Sequence, residues 1–314
     1  MIINRYSLDG NMESNFMSAT LCDLNKINIK ESNYAYLALK EAKEWSRFLG
    51  IEEISKGIIA TGQEHKGDLA TRGIAYEFSK LKTEQDISTF ANKYGLLGIK
   101  LPETKKRWAN FLSGKKTFGN TIFLILDLDY PIFEPLDLWY FFIDYVRKLL
   151  KLYRALVNVH KGEINQNDIE GNILNIGKKL NEKKYLIEWW DGVQTGNALE
   201  SEIVEKGDFL EIARIILLTE VNRGANKKVN NLVTNVIETG KPPLGFIIQQ
   251  SKYTEQLINV IYQDMWELIS RNEPVYICAN PNCKLPFKKV KRQQYCSNAC
   301  KQEAYRIRKS HSPN

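Results

Sequence analysis

Four of the five cysteines fall within one short C-terminal segment, and their spacing is the most chemically informative feature of the sequence. Cys278, Cys283, Cys296 and Cys300 follow the pattern C-x4-C-x12-C-x3-C. No secretory signal is recognisable at the start of the chain, so paired cysteines at this spacing favour one tetrahedral zinc site over two disulfide bonds. Four thiolates leave no open coordination position, and the expected zinc ion is therefore structural rather than catalytic.

The residues between and after the cysteines are suited to positioning four sulfur atoms around one ion. The stretch 280–282 reads Asn-Pro-Asn and favours a tight turn that folds the first two sulfurs together. Ser297 is a good N-cap, which predicts a helix over 298–309 with Cys296 just before it and Cys300 in its first turn. Phe287 and Tyr295 are expected to cover the site. This layout is that of a treble-clef-like zinc finger.

The same segment carries the excess positive charge of the protein. The chain has a formal net charge of +7, from 44 Lys and Arg and 37 Asp and Glu. Residues 275–314 contain nine of these cations and one acid, Glu303, so that the remaining 274 residues have a net charge of −1. This asymmetry indicates a polyanionic partner, for which nucleic acid is the most common choice.

The predicted helix after Cys300 would present these charges on two adjacent faces. Lys301, Tyr305 and Arg308 fall at i, i+4 and i+7, and a neighbouring stripe holds Arg306 and Lys309. Cations that precede the helix would add phosphate contacts. The candidate nucleic-acid-binding residues are Lys288, Lys289, Lys291, Arg292, Lys301, Tyr305, Arg306, Arg308 and Lys309.

The segment Tyr276–Lys309 resembles the CGNR zinc finger found at the C-terminus of bacterial stress-induced transcription regulators. The similarity rests on the four cysteines, on Phe287 and the basic run after it, and on the Tyr295-Cys296-Ser297 sequence before the basic helix. Weaker similarity covers Phe90–Gly98, a Phe-Glu-Pro-Leu stretch at 133–136, and Phe209–Ser270. The sequence departs from the family after Cys300, where it reads Lys-Gln-Glu instead of Gly-Asn-Arg, so a contact by that arginine is not carried over.

This resemblance implies DNA binding by the finger and regulation of transcription, with a structural zinc ion as cofactor. A homodimer would suit a palindromic DNA site, although nothing in the sequence requires one. Two other interpretations of the basic segment stay open: it binds RNA or an acidic protein, or it is a solvated surface on a small fold-stabilising unit.

The rest of the chain predicts an α+β protein with a mainly α-helical body and short strands. The expected helices and strands alternate without repeats, and the polar stretch 160–172 is the best candidate for a boundary. We predict an N-terminal domain over 1–160, a helical and hairpin domain over 172–273, and the finger over 274–314. The predicted elements are helices at 34–49, 136–157, 209–221 and 254–269, strands at 121–126 and 185–190, and a hairpin of 233–237 with 244–249.

One feature outside the finger suggests catalysis. Asp127 and Asp129 lie at i and i+2 at the end of an apolar strand and could hold Mg²⁺ in a metal-dependent hydrolase. The next residues, Tyr130 and Pro131, do not continue a hydrolase motif, and an acidic strand end is the simpler interpretation. No apolar run reaches the roughly 18 residues of a membrane span, so we expect a cytoplasmic protein that associates with the nucleoid if it binds DNA.

Overall fold

The computed structural model describes residues 6–8, 14–27, 33–49, 51–67, 73–99, 132–165, 168–225, 229–238, 246–271, 276–283, 286–287 and 292–310. The chain forms two compact units, each assembled from separate stretches of sequence. The contiguous domains over 1–160, 172–273 and 274–314 stay a prediction. None of the helices in the described ranges combines the length and the apolar character that a membrane span requires.

Helices and small antiparallel sheets make up the described residues, as expected for an α+β chain. The helices are α1 (Asn33–Leu49), α2 (Ile74–Ser79), α3 (Glu84–Tyr94), α4 (Leu136–His160), α5 (Ser201–Glu205), α6 (Phe209–Ala225), α7 (Leu257–Ser270) and α8 (Asn298–Ser310). The strands are β1 (Tyr6–Ser7), β2 (Ser14–Asp23), β3 (Lys56–Gly67), β4 (Phe133–Pro135), β5 (Leu174–Asn181), β6 (Lys184–Trp189), β7 (Gln194–Glu200), β8 (Val229–Glu238), β9 (Phe246–Thr254), β10 (Tyr276–Ile277) and β11 (Pro286–Phe287).

The first unit contains Met1–Arg72, Lys82–Phe141 and Asn222–Asp264. Its larger sheet has the order β2-β3-β4, and its second sheet has the order β1-β9-β8. Helix α3 lies against β2, where the Ser88 hydroxyl accepts a hydrogen bond from the Leu21 N–H at 3.0 Å. The β8–β9 pairing confirms the predicted hairpin.

A buried carboxylate joins two of the segments that carry the weaker family resemblance. Glu134 in β4 is fully buried and accepts hydrogen bonds from the backbone N–H groups of Leu97 (3.0 Å), Gly98 (2.8 Å) and Ile99 (2.9 Å). Burial raises the pKa of Glu134 to about 7, although these three donors act in the opposite direction. Gly98 has φ of 83°, which a residue with a side chain rarely adopts. Glu134 therefore fixes the loop that follows α3.

The second unit contains Gly73–Leu81, Phe142–Val221 and Met265–Asn314. Its sheet β5-β6-β7 is antiparallel, and Trp189 at the end of β6 packs edge-on against Tyr145 of α4, with ring centroids 5.8 Å apart. Lys148 of α4 is also buried and forms ion pairs with Asp144 (2.8 Å) and Asp191 (2.7 Å). The cysteine-rich segment belongs to this unit.

Most of the predicted elements that fall on described residues are confirmed. These are the helices at 34–49, 136–157 and 209–221, the strand at 185–190 and the helix after Ser297. The helix predicted at 254–269 begins later than expected, because Thr254 is the last residue of β9 and α7 begins at Leu257. The Thr254 hydroxyl instead accepts hydrogen bonds from the Gln256 N–H (3.4 Å) and the Asn259 side chain (3.1 Å). The predicted strand at 121–126 lies outside the described residues.

Candidate metal centre and basic helix

Two short strands and one helix bring the four cysteines together. Tyr276 pairs with Phe287 in the antiparallel β10–β11 ladder, so that the chain between these strands must turn back on itself. Cys278 directly follows β10, and Cys283 ends the turn, where its N–H donates to the Asn280 carbonyl at 3.0 Å. Cys296 and Cys300 lie on either side of the start of α8, as the spacing predicts.

The four sulfur atoms are close enough to share one ion. All four lie within 4.8 Å of one another, and Cys296 Sγ is 3.6 Å from Cys283 Sγ and 3.5 Å from Cys300 Sγ. A tetrahedron of sulfurs at the usual zinc–sulfur distance of about 2.3 Å has edges of about 3.8 Å. All four cysteines are free, since a disulfide would need its sulfurs about 2.05 Å apart. The structure thus confirms a cluster of four cysteines positioned to hold a metal ion.

Burial and the contacts between the thiols shift the pKa values of two of the cysteines in opposite directions. Burial raises the pKa of the Cys296 thiol well above its ordinary value, and the neighbouring thiols act in the same direction. Burial also opposes ionisation of Cys300, but hydrogen bonds from Ser297 and the adjacent thiols outweigh it and lower the pKa of Cys300 to about 7. Cys300 is therefore partly ionised at neutral pH. A bound metal would displace the remaining thiol protons.

The start of α8 is fixed by the predicted cap. The Ser297 hydroxyl accepts a hydrogen bond from the Cys300 N–H at 3.2 Å, and the Ser297 carbonyl accepts from the Lys301 N–H at 3.1 Å. Cys278 and Cys296 are also linked directly, since the Cys296 N–H points to Cys278 Sγ at 3.4 Å. Such N–H contacts stabilise a sulfur that carries negative charge.

A carboxylate on α8 holds the first cysteine turn in place. Glu303 accepts hydrogen bonds from the side-chain amides of Asn280 and Asn282, both at 2.8 Å. Asn280 is completely buried, and its Oδ1 also accepts the Asn282 N–H at 3.2 Å. We refer to Asn280, Asn282 and Glu303 as the clamp. The clamp ties the turn that carries two of the sulfurs to the helix that carries another.

A partly buried arginine adds positive charge beside the cluster. The Arg147 guanidinium on α4 donates hydrogen bonds to the carbonyls of Ser79 (2.6 Å) and Leu81. Burial lowers the pKa of Arg147, and the negative charges of Asp144 and Cys283 partly reverse that effect. The same charge interaction would favour a thiolate at Cys283.

The two sides of α8 have different compositions. Ala304 is buried, and Cys300, Glu303 and Ile307 are half-buried on the same side. Tyr305 is 62% exposed. The exposed side also carries Lys301, Gln302, Arg306, Arg308 and Lys309.

The structure describes the side chains of some of the predicted nucleic-acid-binding residues. Lys301, Tyr305, Arg306 and Lys309 lie on the exposed side of α8, and Arg292 is exposed before it. Arg308 is exposed but donates hydrogen bonds to the Tyr295 hydroxyl (3.4 Å) and the Ala304 carbonyl (3.3 Å). Five candidate residues lie outside the described ranges: Lys288, Lys289 and Lys291, and the candidate catalytic pair Asp127 and Asp129.

A recess lies beside the start of α8. Its volume is about 330 Å³, and its lining includes the cations Arg292 and Lys301 and the ring of Tyr295. The other lining residues are amides or hydroxyls, Gln293, Gln294, Ser297 and Asn298, with no acid among them. This composition suits an anionic or hydrogen-bonding group.

Sequence reasoning missed the clamp and Arg147. From the sequence, the asparagines at 280 and 282 are explained as turn formers. Glu303 stands out there as the single acid among residues 275–314 and as a departure from the family pattern, but neither feature gives it a partner. Arg147 is distant in sequence, and no spacing rule connects it to Cys283.

Comparison with protein-family models, with curated proteins and with solved structures found no match to this chain.

Proposed function

We propose that this chain is a DNA-binding protein, a transcription regulator whose C-terminal segment is a treble-clef-like finger folded around one structural zinc ion. The observation that carries the proposal is the division of α8 into a side that faces the cysteine cluster and a basic side that faces water. The resemblance to CGNR-type fingers supports the same function. Four thiolates at tetrahedral spacing are a ligand set typical of structural zinc.

The clamp supports this proposal through its effect on charge. Glu303 is the one acid of α8, and its carboxylate is occupied by the amides of Asn280 and Asn282. Its charge therefore lies on the side of the helix that faces the cluster. A zinc ion with four thiolates contributes about −2, which is also on that side. The exposed side of α8 carries cations and no acid of the helix, as suits a phosphate-binding surface.

The number of exposed cations sets the expected salt dependence. Five described cations, Arg292, Lys301, Arg306, Arg308 and Lys309, lie on or next to α8. If each meets one phosphate of duplex DNA, the logarithm of the association constant should fall with the logarithm of salt concentration with a slope of about −4.5. The recess lined by Arg292 and Lys301 offers a place for one such phosphate.

A second candidate function, binding of single-stranded RNA, is favoured by one observation. Tyr305 is 62% exposed and lies one turn from Lys301, so its ring is available to stack on an unpaired base. Base stacking on aromatic rings is typical of single-strand recognition and is worth about 1–3 kcal/mol per base. An exposed tyrosine beside phosphate-binding cations is also compatible with a duplex, so the two candidates must be separated by experiment.

The test compares fluorescently labelled duplex DNA with single-stranded RNA of the same length and mixed sequence. Full-length protein is titrated at several salt concentrations, with zinc bound and after chelation. The variant Arg306→Gln/Lys309→Gln removes two cations from α8. The control Lys178→Gln/Lys183→Gln removes two exposed cations from the β5–β6 hairpin of the same unit and changes the net charge equally.

We expect tight duplex binding that is lost on chelation, and a salt slope that is shallower by about 1.8 for the α8 variant only. Zinc content measured in each variant checks that the finger is still folded. Equal binding by the α8 variant, its control and the unaltered protein would refute the proposal. Tighter binding of RNA, lost in Tyr305→Ala, would select the second candidate.

A further inference from the structure

A groove in the second unit has the shape and charge of a small-molecule site. It lies between α4 and α6 and has a volume of about 520 Å³, within the range of roughly 300–1,000 Å³ for ligand pockets. Its floor is apolar, since Tyr153 and Leu217 are buried. One wall is formed by Leu218, which is 58% exposed although it is a large apolar residue. A bound apolar ligand would cover the exposed surface of Leu218 and exclude water from it.

Three basic residues surround the opening of the groove. His160 is the last residue of α4, Lys161 follows it, and Arg214 lies one turn before Leu218 on α6. All three side chains are exposed, and no acid is among the residues that line the groove. In the described part of the chain, none of these three side chains has an ion-pair partner. The groove therefore combines an apolar interior with an unneutralised basic rim.

We propose that this groove binds a small organic acid with an apolar body, held by Leu217, Leu218 and Tyr153 and paired through its carboxylate with Arg214 and Lys161. Charge complementarity selects this occupant over a neutral or cationic one. An arginine at the rim also offers two parallel hydrogen bonds to a carboxylate, which fixes the orientation of the ligand. The site is separate from the cysteine cluster and does not depend on the proposed function.

The groove also touches the strand that leads into the cysteine cluster. Tyr276 lines the groove, and it belongs to β10, two residues before Cys278. Its ring lies 6.4 Å from that of the buried Phe287, its partner across the β10–β11 ladder. A ligand that packs against Tyr276 would restrain this strand. Because coupling between two sites is reciprocal, the ligand should raise the affinity for the metal, and removal of the metal should lower the affinity for the ligand by the same factor.

The test uses a matched pair of fluorescent probes with the full-length protein. The anionic probe is 8-anilinonaphthalene-1-sulfonate, and the neutral probe is N-phenyl-1-naphthylamine, which has the same aromatic body without the sulfonate. Decanoate, decanol and decyltrimethylammonium, each below its micelle concentration, then compete for the bound probe. The order of competition reports the charge preference of the groove directly.

Two variants locate the binding site. Arg214→Glu/Lys161→Glu reverses the charge of the rim, and Lys183→Glu/Lys206→Glu makes the same change in net charge at exposed positions away from it. Leu218→Glu places an acid in the exposed wall, where it should not disturb folding. We expect the rim variant to weaken decanoate about tenfold or more relative to its control, and Leu218→Glu to reverse the preference toward decyltrimethylammonium.

Three results would overturn the proposal. The first is equal competition by decanoate and decanol in the unaltered protein. The second is equal weakening by the rim variant and its control, which would place the anion elsewhere. The third is a protein that binds none of the probes but dimerises through this face, with the dimer abolished by Leu218→Glu in sedimentation experiments.

Discussion

Replacing Glu303 by glutamine should weaken metal binding even though Glu303 is not a metal ligand. In the native clamp, each carboxylate oxygen accepts one side-chain amide, from Asn280 or from Asn282. Glutamine keeps one acceptor oxygen and presents an N–H₂ group to the other amide. One of the two asparagines must then lose its partner.

The size of the effect follows from the charge of the lost acceptor. The glutamine oxygen can still accept from the buried Asn280, so the exposed Asn282 loses its partner and the remaining hydrogen bond no longer has a charged acceptor. A hydrogen bond to a charged group contributes about 1.5–3 kcal/mol, which corresponds to roughly 10- to 150-fold in an equilibrium constant. Residues that support metal ligands without touching the metal typically change its affinity about 10- to 100-fold, which is the same range. We therefore expect zinc affinity to fall by about one to two orders of magnitude.

The assay is competition for zinc with a chromophoric chelator of known affinity at fixed pH. The control is Gln302→Lys, the adjacent exposed position, which shifts the net charge by the same +1. The control should retain native zinc affinity because Gln302 lies on the water-facing side of α8. Equal affinities for Glu303→Gln, the control and the unaltered protein would refute the clamp.

Two predictions concern acid–base effects in the rest of the fold. Burial raises the pKa of Glu134 from its ordinary 4.5 to about 7. Between pH 4.5 and pH 7 the folded protein therefore keeps a proton on Glu134 that the unfolded chain loses. The free energy of unfolding should fall by about 3 kcal/mol as the pH rises through this range. Urea midpoints measured across this pH range should fall with rising pH in the unaltered protein and stay constant in Glu134→Gln. A pH dependence that persists in the variant would show that Glu134 is not its cause. For Asp191, burial alone would raise the pKa, but the Lys148 ion pair and the Val193 N–H lower it below the ordinary value. The stabilisation by Asp191 is thus present at neutral pH and is lost on acidification through the folded pKa. Asp191→Asn should cost up to about 1 kcal/mol at pH 7, and this cost should shrink as the pH falls through the folded pKa of Asp191; a cost that does not change with pH would show that the ion pair does not contribute.

The cysteine cluster was predictable because its determinants are local. The spacing of Cys278, Cys283, Cys296 and Cys300 and the cap at Ser297 all act within 23 residues, and the structure brings these residues together as expected. Helix α4 was predictable for a related reason, since its apolar residues recur with helical spacing over its whole length.

Strand β3 of the first unit was not predicted because its sequence resembles a loop. Strand β3 contains glycines at 57, 62 and 67, and glycine lowers strand propensity. The structure explains one of them: a Cβ at Gly57 would lie 2.2 Å from the Phe133 ring of β4, so only glycine permits this close pairing. The determinant of β3 is therefore a contact with a residue 76 positions later, which no local pattern contains.

The clamp shows how one helix meets two opposed requirements. A metal site of four thiolates needs hydrogen-bond donors and nearby positive charge, whereas a phosphate-binding surface must not carry exposed acids. On α8, Cys300, Glu303 and Ile307 share one side because side chains three and four positions apart lie together. Glu303, the single acid of the helix, lies on this side, and its charge holds the cysteine turn through Asn280 and Asn282. The cations at the intervening positions lie on the other side of the helix, which faces water.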